Sequence, residues 1–365
     1  MIAPPRINAG QDSKLFTIES NAGFDLEPVT DNLDVLAVAA AFGAEAVTDV
    51  FAITKPSTTS VLYQIDCGAG PALMLRGAAP ETASAVAAQC IAVNRLSECI
   101  CVRPLLTEDC TGYTVYLNDK IWIAYHHRVG EIFDGRNCPL DVLFEKVFEL
   151  ENALGQIGPA LPADVRESLP RTRFSPEAWP DLLDGLCADK AGSVAWGLGE
   201  TAQTLLQENR AWVREIALRC ANIAISTDAE LVHNDINHAN VLVGSSGISF
   251  LDIEDITFGV PEVSVAHAIF KLLRHRVYRD CASVAEARSE IDRIVHRLGD
   301  ERWNLKSRTL LFDCAAHRIF SDIHLICARA TESGDLAFLY DLEKKIHNLF
   351  ELWKIVEPAN ELATR

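Results

Sequence analysis

The spacing of apolar and polar positions changes character along the chain, and the changes divide it. Between residues 47 and 76, β-branched and aromatic residues gather in three short runs, VTDVFAIT (47–54), VLYQIDC (61–67) and ALMLR (72–76). The polar turns KPSTTS and GAGP separate them, which predicts an antiparallel meander. Residues 81–97 carry apolar positions at helical spacing, and YTVYL with IWIAYHH (113–127) adds two strands around the polar turn NDK. A five-stranded sheet with one crossing helix is expected. Ahead of it, Asp31-Asn32 caps a helix through LDVLAVAAAFG that Gly43 ends. Residues 1–30, punctuated by Pro and Gly, read as a loosely held extension.

After Gly130 the helical period takes over: LDVLFEKVFELENAL, a Pro-rich stretch from Pro159 to Pro180, and a long helical region over 181–226. The strand pattern returns once, as VLVG and ISFLDI around the turn Ser245-Ser246-Gly247, before helical spacing resumes from Glu262 to Val356. No internal repeat interrupts this plan. The expected division is an N-terminal extension and helix (1–44), a β-rich lobe (45–128) and a mostly helical lobe (129–365).

Composition narrows the functional classes. Of 365 residues, 49% are hydrophobic and 23% charged, the balance of a globular chain with a packed core and not of a disordered or fibrous one. Against 33 Lys plus Arg stand 51 Asp plus Glu, a formal charge of -18. That field repels nucleic-acid phosphates and anionic lipid, so neither nucleic acid nor membrane is an expected partner. The opening MIAPPRINAGQDSKLF lacks the basic and apolar regions of a secretory signal, and the expected location is the cytoplasm. Eleven cysteines without a C-x-x-C read as reduced, mostly buried thiols.

One stretch concentrates chemistry: LVHNDINHANVLVGSSGISFLDIED carries His233, Asp235, Asn240, Asp252 and Glu254 around the expected hairpin. A loop bearing Asp235 feeds a strand that starts near Asn240, and the returning strand ends at Asp252, so the hairpin sets an amide and a carboxylate beside each other. Such hard oxygen donors suit Mg²⁺, which completes its octahedron with water and nucleotide phosphates. Asp235 would sit nearby, free to accept a hydroxyl proton.

The order H-x-D-x-x-x-x-N, then a strand ending D-x-E, resembles the catalytic core of the aminoglycoside phosphotransferase and choline kinase superfamily. Members read H-G-D-x-x-x-x-N-V-L and then I-D-W-E-D where this chain has HNDINHANVL and LDIED. The resemblance covers residues 45–345. It implies an α+β, bilobal protein-kinase-like fold, a small antiparallel β-sheet lobe preceding a larger, mostly helical one. It implies ATP or GTP with Mg²⁺ as cofactors, Asp235 as catalytic base, Asn240 and Asp252 as magnesium ligands, and Glu254 as a second-metal or supporting acid. His233 would organise the loop. The acceptor implied is a hydroxyl of a small molecule (aminoglycoside-like, amino alcohol or sugar) or a peptide Ser/Thr.

The β-rich lobe fits with departures. Ser57, Thr58, Thr59 and Ser60, in the turn KPSTTS, stand where the family covers the phosphates, without the glycines that allow close approach. Arg76 holds the position of the phosphate-binding lysine, and Gln89 that of the glutamate paired with it; the arginine keeps a permanent charge, which the glutamine would orient without neutralising. Main-chain groups near Tyr125 and His127 are expected to meet the base. GVPEVSVAH has Ser264 or Val265 where relatives often carry an Asp. These changes motivate the alternative of an inactive, nucleotide-binding partner subunit. Asp181, Asp184, Asp189, Glu200 and Glu208 lie in the expected acceptor region and suit a cationic acceptor, or else form solvated helix faces.

Overall fold

A computed structural model describes residues 4–17, 25–29, 33–54, 61–68, 70–98, 100–172, 176–187, 198–223, 229–298, 302–303, 305–333 and 339–357. The N-terminal half contains α1 (Ala9–Asp12), β1 (Asp25–Pro28), α2 (Leu33–Ala41), β2 (Val47–Thr54), β3 (Val61–Cys67), β4 (Leu73–Ala78), α3 (Ala83–Val93), β5 (Val115–Leu117) and β6 (Lys120–His126). Six strands form one antiparallel sheet in the order β1-β2-β3-β4-β6-β5. The expected count of five is corrected by β1, four residues without apolar alternation, which pairs Leu26 with Ile53 along the edge of β2. Its Pro28 suits an edge, where no ladder donor is missed.

Period-two alternation in β4 assigns the two faces of the sheet. Leu73 and Leu75 pack with Val35, Val38, Ala39 and Phe42 of the α2 region in a small core of their own. Arg76 therefore points the other way, toward the remainder of the molecule, where Val86, Cys90 and Val93 of α3 join the main core. Gly77 follows it because a Cβ there would lie 2.8 Å from Val61 and 2.9 Å from the Trp122 ring. Two helices cover the sheet, one on each face.

The second half contains β7 (Glu131–Ile132), α4 (Leu140–Ala160), α5 (Ala163–Ser168), α6 (Trp179–Cys187), α7 (Glu200–Glu208) and α8 (Arg210–Ala221). It continues with β8 (Glu230–His233), β9 (Val241–Gly244), β10 (Gly247–Phe250), β11 (Ile256–Gly259), α9 (Pro261–Tyr278), α10 (Val284–Leu298), α11 (Arg308–Ser333) and α12 (Leu339–Val356). The strand pattern expected once occurs more often: β7 adds to β9, and β8 pairs with β11. Helix α9 is central, buried along Val263–His275 with α4, α10, α11 and α12 around it. No helix among the described residues is long and apolar enough to cross a membrane.

For residues 4–17 the expectation of a loose extension is also corrected. Asn8 and Gln11 close a capping box on α1, and Leu15 is buried. The Arg6 main chain exchanges two hydrogen bonds with the Asn209 carboxamide. Gln11 donates to Glu208, Asp12 pairs with Lys354 at 2.8 Å, and the Phe16 N–H donates to Glu351 at 2.8 Å. These partners lie 197 to 342 positions away at the nearest and farthest, which local pattern does not register.

Candidate active site

Strand β8 delivers His233 to the base of a loop. His233 is fully buried; its Nε2–H donates to the Leu251 carbonyl at 2.8 Å, which fixes the tautomer, and its main-chain N–H donates to Glu151 at 3.2 Å. Ser264 Oγ lies 2.9 Å from the His233 carbonyl and 3.0 Å from Glu151 Oε1. Ser264 of α9 thus ties the His233 main chain to a carboxyl that comes from α4. Burial pushes the Glu151 carboxyl up to about 8, so it is protonated at neutral pH.

The loop then presents Asp235. Its Oδ2 accepts from Asn237 Nδ2 at 2.7 Å, and its main-chain carbonyl accepts from Asn240 Nδ2 at 2.9 Å. Asn237 also caps the single turn 238–240 by accepting from the Ala239 N–H. Burial alone would raise the Asp235 carboxyl, but Lys271, Lys345, His267 and Arg318 outweigh it and hold the group below the ordinary carboxylate range.

The hairpin β9–β10 pairs Val241 with Phe250, and the Leu251 N–H donates to the Asn240 carbonyl at 2.9 Å. This returns the chain so that Asp252 follows directly beside Asn240. Asp252 takes a φ of +61°, a left-handed conformation that Asp tolerates better than most residues. Arg76 crosses from the sheet and forks over the returning segment: Nη1 to Asp252 Oδ1 at 2.7 Å and Nη2 to Glu254 Oε2 at 2.5 Å. Gln89 donates to the Glu254 and Ile256 carbonyls at 2.7 and 2.9 Å. It thus orients the main chain that carries the acids.

No protein-family model matches the chain, and no curated protein does. Solved structures do. Spectinomycin phosphotransferase APH(9)-Ia, in complex with ADP and spectinomycin, superposes with a TM-score of 0.62 at 15% identity, over 91% of this chain and 99% of that one. The chain has the aminoglycoside phosphotransferase fold. Aminoglycoside phosphotransferase APH(4)-Ia with ADP and hygromycin B matches at a TM-score of 0.53 and 13% identity, over 87% of this chain and 99% of its own. An amicoumacin kinase in complex with AMP-PNP, Ca²⁺ and its antibiotic matches at 0.50 and 13%, over 87% and 94%.

On this phosphotransferase fold, the sequence-derived candidates fall into three groups. Asp235, Asn240, Asp252, Glu254, Arg76 and Gln89 converge where the sheet meets the helical half. Tyr125, expected to act through its main chain, lies near them through its phenol, which feels the charges of Arg76 and Glu254. His127 does not: its side chain is exposed and its N–H donates to the Ala72 carbonyl at 2.7 Å, which leaves that donor unavailable to a base. Ser57, Thr58, Thr59 and Ser60 lie outside the described residues.

Asp255, quoted in the motif but not singled out, is the acid sequence reasoning missed. Burial, Asp252 and Asp235 together push its carboxyl well up. Burial also raises Glu254 against the pull of Arg76, and Glu254 Oε1 is buried with no hydrogen-bond partner. This surplus of negative charge, with hard oxygen donors on Asn240 and Asp252, fits a small divalent cation. Among the described residues no three His, Cys, Asp or Glu side chains form a complete metal site, so further ligands would have to come from phosphate and water.

The acids expected to favour a cationic acceptor turn elsewhere. Asp184 pairs with Arg210 and Arg214, Glu208 accepts from Gln11, Asp181 and Glu200 are exposed, and Asp189 lies outside the described residues. Near Asp235, beyond the acids of the motif, stand Lys271, Lys345, His267 and Arg318.

Proposed function

We propose that the chain is a phosphotransferase that moves the γ-phosphate of ATP or GTP to a hydroxyl of a small molecule, with Mg²⁺ as the companion ion. The observation that carries this reading is the convergence of an ionised Asp235 with Asn240, Asp252 and a sheet-borne Arg76 where the sheet meets the helical half. The nucleotides and antibiotics bound by proteins of the same fold support it. Phosphoryl transfer asks a protein chiefly to position two reactants and to stabilise spreading charge. Asp235 would orient the acceptor hydroxyl and take its proton late in transfer, Asn237 holding the carboxylate in place. Arg76 would exchange part of its grip on Asp252 and Glu254 for phosphate oxygens, which suit a bidentate guanidinium. Asn240 and Asp252 would hold Mg²⁺, which when bound neutralises charge on the phosphate oxygens.

The test is twofold: thermal shift of the full chain with Mg·ATP and Mg·GTP, and nucleoside diphosphate release over a panel of alcohols. A shift with at least one nucleotide and acceptor-dependent release are expected. A chain that binds nucleotide yet turns over no alcohol would be a partner subunit, and one that shows no shift would overturn the reading altogether.

A further inference from the structure

Three helices bring cations to the acceptor side of Asp235. On α9, His267, Lys271 and Arg274 follow at spacings of four and three, which places them along one face. Helix α11 contributes Arg318, and α12 contributes Lys344 and Lys345. The helices are stitched by charge: Arg274 Nε lies 2.5 Å from Glu351, and Lys345 and Arg318 share Asp322 at 2.5 and 3.0 Å. The catalytic loop joins them through His238, whose ring stacks on His275 of α9 at 3.9 Å between centroids and 6° between planes.

Two lysines remain. Lys271 is 9% exposed and Lys344 7%, and neither has an ion-pair partner among the described residues. Charged residues are seldom buried to this degree unless paired. On the same two helices, one turn from these lysines, His267 Nε2, both ring nitrogens of His347 and the whole carboxamide of Asn348 are buried without a hydrogen-bond partner. Unsatisfied polar atoms gathered at one place call for a ligand or ordered water. Burial, with repulsion from Lys344 and Lys345, holds the Lys271 ammonium well below the ordinary lysine value; burial, Lys345 and Arg274 lower Lys344 to about 8.

We propose that Lys271 and Lys344, with Lys345 and Arg318 beside them, form the acceptor subsite for an anionic group, so that the alcohol phosphorylated here also carries a carboxylate or a phosphate. The inference rests on the phosphotransferase reading and names its substrate class. It reverses the expectation drawn from net charge. Exposed acids are screened within about 8 Å at physiological ionic strength, whereas a buried cluster is not, so the local cations decide which molecule enters. An anion would pair with the two unpartnered ammonium groups while its hydroxyl reaches the Asp235 carboxylate.

The experiment compares D-glycerate and glycerol 3-phosphate with neutral glycerol and cationic ethanolamine, using the full chain. Binding is read by calorimetry with and without Mg·ATP, and turnover by ADP release. At least about tenfold tighter binding of one anionic alcohol than of glycerol is expected, the two anions separating carboxylate from phosphate recognition. Lys271→Met and Lys344→Met are expected to abolish that preference while raising Tm, because each removes a buried unpaired charge. Their Mg·ATP shift should persist. Nucleotide binding with no preference for anions, or with preference for ethanolamine, would overturn the anionic subsite alone. Anion binding by a chain that ignores both nucleotides would support the subsite and overturn the phosphotransferase reading.

Discussion

At Asp235, two opposed effects decide protonation, and Lys271, Lys345, His267 and Arg318 prevail over burial. The carboxylate therefore needs no base of its own to be ready for a hydroxyl proton. Asp235→Asn should retain affinity for Mg·ATP and lower kcat by at least about a hundredfold; a kcat near that of the parent would remove Asp235 from the mechanism. Arg76 presents a different balance, because its guanidinium neutralises two half-buried acids at once. Arg76→Ala should cost about 2 kcal/mol in urea denaturation and weaken nucleotide binding, and an unchanged midpoint would show that the fork contributes nothing to the fold. The local part of this constellation was legible: loop and hairpin lie within twenty positions, so Asp235, Asn240 and Asp252 could be grouped from spacing. The Arg76 pairing with Asp252 spans 176 positions, and only resemblance suggested that the strand faced the hairpin.

Among the elements, α9 and α4 bear most directly on the loop that carries Asp235. The polar positions His267, Lys271 and Arg274 interrupt an apolar pattern on a helix buried nearly all round, a conflict readable in VPEVSVAHAIFKLLRH but silent about which partners face it. The strands β7, β8 and β11 escaped because no turn marks them as a hairpin, their partners lying far along the chain; the equally short β9 and β10 were legible from the turn Ser245-Ser246-Gly247 between them. Glu151 links α4 to His233 in its protonated form, and this gives stability a definite pH dependence. A carboxyl raised from the ordinary range to about 8 binds its proton in the folded state while the unfolded chain has lost it. Stability should therefore fall as pH rises from 5 to about 8 and flatten beyond. In Glu151→Gln that slope should be reduced, as read by Tm across the same buffers; an identical slope would assign the titration elsewhere.

For the whole molecule, fold class followed from the switch between period two and period 3.6, while surface charge left the acceptor open between a cation site and solvated helix faces. A net charge of -18 counts the whole chain; of the acids nominated from it, Asp184 is paired, Glu208 accepts from Gln11, and Asp181 and Glu200 are exposed. The N-terminal segment was misread for a related reason: its contacts are hydrogen bonds to distant helices and one buried Leu15, none of which leaves a periodic trace. Removing residues 1–17 should lower stability by about 2 kcal/mol through Leu15 alone, seen as a drop in Tm by calorimetry, and an unaltered Tm would restore the picture of a loose tail. Glu351 makes this more than a question of stability. Its carboxylate is shared between the Phe16 amide and the Arg274 guanidinium. Peeling the segment away would hand the whole of that charge to one arginine beneath the lysine pair, so a cut far from the cleft would be felt as a change in how avidly the basic floor attracts its guest.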